Sequence, residues 1–172
     1  MPTDVADLAA IEHVLEGATC WGLELETGYR VLAGTFEVAA DRHPVGPVRD
    51  RRLQLLAFPV SEILASLRRV DEEGRRRVER FDVEQLLEVS QAVAGAVVRG
   101  PLFRQPPPAP GAWGPEPSLR GQSNAPDGRS HSLTLRLVAP DDDVTLDLRV
   151  SFDDATLRTP EGRDLTSAEL AP

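Results

Sequence analysis

The feature that most constrains the fold of this chain is an alternation of apolar and polar residues that recurs along most of its length. Leu133, Leu135 and Leu137 share one face of a predicted strand, and the apolar residues of 144–152 share one face of the next. Residues 140–143, Pro-Asp-Asp-Asp, separate the two runs. Alternation of period two on both sides of a turn predicts an antiparallel hairpin.

The register of this C-terminal hairpin follows from its apolar faces. Buried residues must stand opposite buried residues, so the numbers of paired residues must sum to an odd value. A sum of 283 places Leu137 opposite Leu146, and Arg136 opposite Asp147 on the other face as an exposed salt bridge.

A second hairpin is predicted near the N-terminus, where Trp21, Leu23 and Leu25 alternate with polar residues and glycine. A two-residue loop of Gly28 and Tyr29, with glycine supplying the positive φ of a type II′ turn, sets Leu25 opposite Leu32. The same register sets Trp21 opposite Phe36. This aromatic pair is therefore expected to anchor the core.

The centre of the chain permits two interpretations. Residues 52–58 predict another strand, but Val60, Ile63, Leu64 and Leu67 have helical spacing. The same stretch also suits a strand that turns at residues 71–74 and returns through residues 76–81, and we favour this hairpin.

Two helices are predicted. The first covers residues 4–16, with Leu8, Ile11 and Leu15 on one stripe, Thr3 or Asp4 as the N-cap and Gly17 at the end. The second covers residues 83–94, because Asp82 and Gln85 have the spacing of a capping box.

Residues 105–131 form a predicted Pro/Gly-rich loop, with six prolines around Trp113 in residues 105–117. A short hairpin around the turn at residues 159–162 is expected to end the fold. Together these patterns predict one α+β domain spanning residues 1–172. It consists mainly of antiparallel sheet built from six to eight strands in hairpins, with an N-terminal and a central helix and a long Pro-rich loop.

Composition excludes several classes of protein. The single cysteine, Cys20, permits neither an intramolecular disulfide nor a multi-cysteine metal site. No apolar run is long enough to span a bilayer, and the first residues carry acids where a secretory signal carries bases, so we expect a cytoplasmic protein. All 19 basic residues are arginine, which suggests a GC-rich bacterial genome.

The net charge of −9 argues against nucleic-acid binding, which requires a cationic surface. Residues 42–104 are nevertheless mildly basic, with twelve arginines against nine acids. Arginine suits protein interfaces because its planar fork pairs with carboxylates. The candidate partner-binding residues are therefore Arg49, Arg51, Arg52, Arg68, Arg69, Arg75, Arg76, Arg77, Arg80 and Trp113. The alternative is that neighbouring acids such as Asp71, Glu72, Glu73 and Glu79 already pair these arginines.

The sequence contains no complete motif for catalysis, metal binding or phosphate binding. Residues 121–125, Gly-Gln-Ser-Asn-Ala, resemble a nucleophile elbow but lack its flanking strand and helix. His13, His43 and His131 have no His or Cys partner at metal-ligand spacing. Two aspartate groups, Asp141–Asp143 and Asp153–Asp154, could together hold a hard cation, but consecutive aspartates are usually turn residues. No Gly-rich phosphate loop occurs. We therefore predict no cofactor and no metal.

The leading hypothesis is a non-catalytic protein–protein interaction module, of an accessory, regulatory or immunity-like kind, whose partner is another protein with an acidic surface. The sequence also permits a homo-oligomer. The alternative is a hydrolase or metal-dependent enzyme whose site assembles only in three dimensions, for example from His43 or His131 with the C-terminal aspartates.

Overall fold

The computed structural model describes residues 2–109, 113–114 and 116–171. Over these residues the helices are α1 (Val5–Leu15), α2 (Leu86–Gln91) and α3 (Ser167–Leu170). The strands are β1 (Thr19–Glu26), β2 (Val31–Glu37), β3 (Arg52–Phe58), β4 (Glu62–Val70), β5 (Arg76–Glu79), β6 (Ala96–Val97), β7 (Phe103–Arg104), β8 (Leu119–Gln122), β9 (His131–Val138), β10 (Val144–Phe152) and β11 (Asp154–Arg158). The predicted α+β class with mainly antiparallel sheet is confirmed.

The strands form two antiparallel sheets. The order in the five-stranded sheet is β11-β3-β2-β1-β6. The order in the six-stranded sheet is β5-β4-β10-β9-β7, and β8 pairs with the other half of β4, on the same side as β5. The buried apolar residues of both sheets belong to one hydrophobic cluster, to which α1 adds Leu8, Ile11, Val14 and Leu15. The core therefore lies between the two sheets.

The C-terminal hairpin has the predicted register. Leu137 pairs with Leu146 and Arg136 pairs with Asp147 across β9 and β10. Asp147 is only 7% exposed, however, so its ion pair with Arg136 is not the surface salt bridge that was expected.

The N-terminal hairpin confirms half of its prediction. Leu25 pairs with Leu32, but Cys20 rather than Trp21 stands opposite Phe36 because a β-bulge interrupts β1 between Cys20 and Gly22. The extra residue of a bulge breaks the alternation of faces. Trp21 is therefore 44% exposed, and its predicted place in the core is wrong.

The turn of this hairpin also differs from the prediction. Pairing ends at Glu26 and Val31, which leaves a four-residue loop, and the positive φ lies at Arg30 (54°) rather than at Gly28.

Helix α1 matches its prediction, with Asp4 as the N-cap and Gly17 in the left-handed region (φ 77°). The second helix is shorter than predicted. The capping box of Asp82 and Gln85 opens a 3-10 turn, and α2 ends at Gln91. The chain then leaves the helix because β6 pairs with β1, and Gly95 enters this pairing with a φ of 90°.

The central stretch is strand β4 and returns as β5, which confirms the favoured hairpin. Two other expectations need correction. Residues 105–131 are not all loop, because β8 lies among them, and the described strands exceed six to eight because several are very short. Helix α3, near the end of the chain, was not predicted.

Candidate functional site

The outer face of the six-stranded sheet is basic. Directly paired residues point to the same side of a sheet, so the registers place six arginines and two carboxylates on the side away from the core. The arginines are Arg68, Arg76, Arg104, Arg120, Arg136 and Arg149, and the carboxylates are Glu62 and Asp147. We call this side of the sheet the arginine face. Its central strand, β10, is buried along its whole length, whereas four of the arginines are exposed: Arg76, Arg104, Arg120 and Arg136. This face is basic on a protein whose net charge is −9.

One buried carboxylate serves two arginines at the centre of the arginine face. Asp147 forms an ion pair with Arg68 through Oδ2, and its Oδ1 lies 3.9 Å from Arg136 Nε. Arg149 follows two residues later on the same side of β10. No carboxylate lies within ion-pair distance of Arg149 among the described residues.

Arg149 is a buried cation without a counter-ion among the described residues. Its residue is 4% exposed, and its guanidinium carbon lies 5.6 Å from the centroid of the Trp113 ring. Nη2 has no hydrogen-bond partner in the described part of the chain. A cation over an indole is favourable, but an unsatisfied charged donor costs about 1–3 kcal/mol or more.

Unpartnered donors are concentrated on the arginine face. Across the described residues five buried side-chain atoms lack a partner, and three of them, Arg68 Nε, Ser132 Oγ and Arg149 Nη2, are on this face. Native proteins pair nearly all buried polar atoms, so such a group of exceptions needs a physical reason. All three atoms can donate a hydrogen bond. An anionic oxygen acceptor could satisfy each of them singly, because Arg68 and Ser132 lie opposite Thr145 and Ser151, about 20 Å apart along β10.

The described residues of the Pro-rich segment, 105–109, 113–114 and 116–117, cover part of this face. Trp113 Nε1 donates to Ser66 Oγ at 3.3 Å, and the Ser66 hydroxyl donates to the carbonyl of Glu116. Ser118, directly after the segment, accepts from the backbone N–H of Leu67 at 2.8 Å. These bonds hold the end of the segment against β4.

A groove of about 400 Å³ opens beside the Pro-rich segment. Its lining residues are Ser61, Glu62, Pro107, Pro108, Ala109, Arg120, Gln122, Arg129 and Ser151. Arg120 and Arg129 are exposed and have no carboxylate partner in the described ranges. Glu62 is the one carboxylate of this lining.

The arginines proposed from the sequence separate into three groups. Arg68 and Arg76 lie on the arginine face with Trp113 nearby, and Arg80 is exposed just beyond β5. Three others pair with acids on β4, β5 or the turn between them: Arg69 with Glu79, and Arg75 and Arg77 with Asp71. Arg49, Arg51 and Arg52 lie in or just before β3 of the other sheet, where Arg51 pairs with Glu37 and Arg52 with Asp50.

Five arginines of the site were missed by sequence reasoning: Arg104, Arg120, Arg129, Arg136 and Arg149. They are far apart in the sequence and form no charge run. A signal was present in β9 and β10, where Ser132, Thr134 and Arg136 alternate with leucines. That alternation marks a polar sheet face, but it does not show which strands join it.

The residues considered for catalysis do not meet. Ser123 Oγ accepts from the backbone N–H of Ala125 at 3.2 Å and lies 3.5 Å from Arg30 Nη1, in a loop without a following helix. His131 is buried, with Nε2 2.9 Å from the carbonyl oxygen of Thr3. His43 lies in the loop before β3, where burial lowers its pKa against the opposing effect of Asp50. His13 is exposed on α1.

The two aspartate groups lie at opposite ends of β10, so about 30 Å of strand separates them. Asp153 instead accepts hydrogen bonds from three backbone N–H groups of residues 128–130. Within the described ranges no group of three or more His, Cys, Asp or Glu residues is placed to hold a metal ion.

Cys20 is buried in the core, and this burial raises the pKa of its thiol to about 12, against a smaller lowering by the backbone N–H of Gly22. A reactive thiol needs a lowered pKa. Cys20 is therefore a packing residue.

Comparison of the chain with protein-family models, with curated proteins and with solved structures found no match. Of the helices in the described ranges, none has the length and apolar character needed to cross a bilayer.

Proposed function

We propose that this is a non-catalytic interaction protein that binds an acidic segment of another protein through its arginine face. The observation that carries the proposal is the group of unpartnered buried donors on that face, Arg68 Nε, Ser132 Oγ and Arg149 Nη2. Donors left without acceptors cost stability in the free protein. Carboxylates of a partner that displaces the covering side chains, such as Trp113 over Arg149, would supply the missing acceptors.

Charge supports the same partner. Six arginines against two carboxylates give the face a positive potential, whereas the chain as a whole is negative. Such a patch attracts an acidic segment and orients it during encounter. The arginine fork also pairs with carboxylates through two parallel hydrogen bonds.

A cytoplasmic location in a bacterium is part of the proposal. The free thiol of Cys20 is consistent with a reducing compartment, and the exclusive use of arginine is consistent with a GC-rich genome.

The test uses tryptophan fluorescence, because the chain has only two tryptophans. In a Trp21→Phe background Trp113 is the sole reporter, and it lies beside Arg149 on the proposed site. The probe is an N-acetylated, C-amidated hexaglutamate peptide, and the matched control is hexaglutamine.

We expect the hexaglutamate peptide to bind and the hexaglutamine peptide not to bind. Its affinity should fall as salt rises, because salt screens exposed charges. The double variant Arg76→Glu/Arg136→Glu should weaken binding about tenfold or more. The control Arg49→Glu/Arg99→Glu makes the same change of charge at exposed positions off the face and should have a much smaller effect. Equal effects of the two variants would refute the assignment to this face.

A further inference from the structure

We infer that the groove between the Pro-rich segment and β8 is the subsite that receives a glutamate or aspartate side chain of an extended acidic peptide. The inference rests on the proposed function and identifies the part of the arginine face where recognition is specific. It concerns the lining residues Glu62, Arg120, Arg129 and Ser151.

The cations of the groove are available. Arg120 on β8 and Arg129 in the following loop are exposed, and neither has a carboxylate partner among the residues that the structure describes. Most other arginines near the surface do have one, such as Arg158 with Asp164 at 2.7 Å and Arg163 with Glu169 at 3.0 Å. The two arginines therefore face the same opening, and of their donors only Arg129 Nη2 has a hydrogen-bond partner among the described residues, the carbonyl oxygen of Ala125 at 3.5 Å.

The shape of the groove suits an extended chain. Arg120 and Gln122 are alternate residues of β8, so their side chains leave the same side of the strand about 7 Å apart. Pro107 and Pro108 also line the groove, and proline stiffens this part of the lining because its ring fixes φ. A peptide in extended conformation presents alternate side chains at the same spacing.

The loop that carries Arg129 is held in place. Asp153 accepts from the backbone N–H groups of Gly128 at 2.7 Å, Arg129 at 2.9 Å and Ser130 at 3.0 Å, and from the Ser130 hydroxyl at 2.6 Å. Fixing this backbone reduces the conformational freedom that binding would otherwise have to remove.

The groove also adjoins the buried donor of Arg149. Ser151 lines the groove and is buried, and Arg149 precedes it by two residues on the same side of β10. The two positions are about 7 Å apart along the strand. An acidic peptide with one carboxylate in the groove can thus bring a second one toward Arg149.

Replacing Glu62 should strengthen peptide binding rather than weaken it. This residue is the only carboxylate of the lining and has no ion pair within the described ranges. Its negative charge should repel an acidic peptide, so its removal should strengthen binding. Loss of a folded site cannot produce tighter binding.

The experiment measures the affinity of hexaglutamate for four proteins at low salt: the Trp21→Phe parent, and two groove variants and one control variant in the same background. We expect Arg120→Gln/Arg129→Gln to weaken binding about fivefold to tenfold and Glu62→Gln to tighten it about twofold to threefold. Circular dichroism melting curves check that each variant is folded. The control Arg158→Gln/Arg163→Gln removes two charges elsewhere and should change the affinity by less than twofold.

The outcomes separate this inference from the proposed function. If Arg76→Glu/Arg136→Glu abolishes binding but the Arg120/Arg129 and Glu62 variants bind like their parent, the groove is refuted and the arginine face stands. If hexaglutamate does not bind at millimolar concentration and low salt, both are refuted. Opposite shifts in the two groove variants support the groove as the subsite.

Discussion

The guanidinium of Arg149 lies 5.6 Å from the centre of the Trp113 ring, where the Pro-rich segment meets the six-stranded sheet. Each of the two residues is positioned by contacts of its own. Trp113 is fixed by its bond to Ser66 at 3.3 Å, and Arg149 is fixed by its strand. The contact joins a covering segment to a charged group that has no counter-ion among the described residues.

Removing this contact should loosen the Pro-rich segment. We expect Trp113→Leu to increase cleavage within residues 105–117 in limited proteolysis, because both the hydrogen bond to Ser66 and the cation–π contact are lost. Trp21→Leu is the matched control and should leave the cleavage rate unchanged. Equal cleavage of the two variants would show that Trp113 does not hold the segment.

The bulge in β1 makes a prediction about the core. Phe36 is fully buried, so Phe36→Ala should lower the free energy of unfolding by about 3–5 kcal/mol. Trp21 is 44% exposed, and Trp21→Ala should cost about 1 kcal/mol. Urea denaturation of both variants measures the difference. A larger cost at Trp21 would place this side chain in the core after all.

The two hairpins show how far the sequence predicts the fold. The apolar faces alone set the register of the C-terminal hairpin, because a shift by one residue would turn every leucine of β9 to the outside. At Trp21 the pairing of apolar faces gives the wrong register. It assumes uninterrupted alternation, and no pattern in the sequence indicates the bulge. Helix α2 is shorter than its helical spacing predicts, because the following residues form β6 and pair with β1.

The candidate site was less predictable than the fold. The arginine run of residues 75–77 is conspicuous in the sequence, but Arg75 and Arg77 are paired with Asp71. Arg120 and Arg149 are isolated in the sequence, and only the pairing of β8, β4 and β10 brings them to one surface. A surface whose arginines are this far apart in the sequence cannot be predicted from charge runs.

The burial of Cys20 predicts an inert thiol. Because burial raises its pKa to about 12, the thiolate is scarce in the folded protein at pH 8. We expect a disulfide reagent such as Ellman's to react no faster than the protein unfolds, and to react at once in denaturant. Rapid labelling of the native protein would contradict the buried position.

Asp153 predicts a dependence of stability on pH. Burial raises its pKa, but hydrogen bonds from Ser130, Gly128 and Arg129 outweigh burial and hold the pKa below its usual 3.8. A lowered pKa in the folded state stabilises the fold above the unfolded pKa, and this contribution disappears as the pH falls through the folded value. Asp153→Asn should therefore lose about 1–3 kcal/mol at pH 7. Its difference from the parent in denaturation curves should shrink as the pH falls below 3.8, the usual pKa, towards the lowered pKa of the folded state.

The central claim, that Arg149 lacks an acceptor because a partner supplies one, is tested most directly by thermal unfolding of Arg149→Met with and without hexaglutamate. Methionine fills a similar volume without an unsatisfied charge, so the free variant should melt about 2–4 °C above the parent. Hexaglutamate should raise the melting temperature of the parent, as a ligand of the folded state does, and should raise that of the variant less. A variant that melts below the parent and is stabilised by the peptide as much as the parent is would contradict the claim.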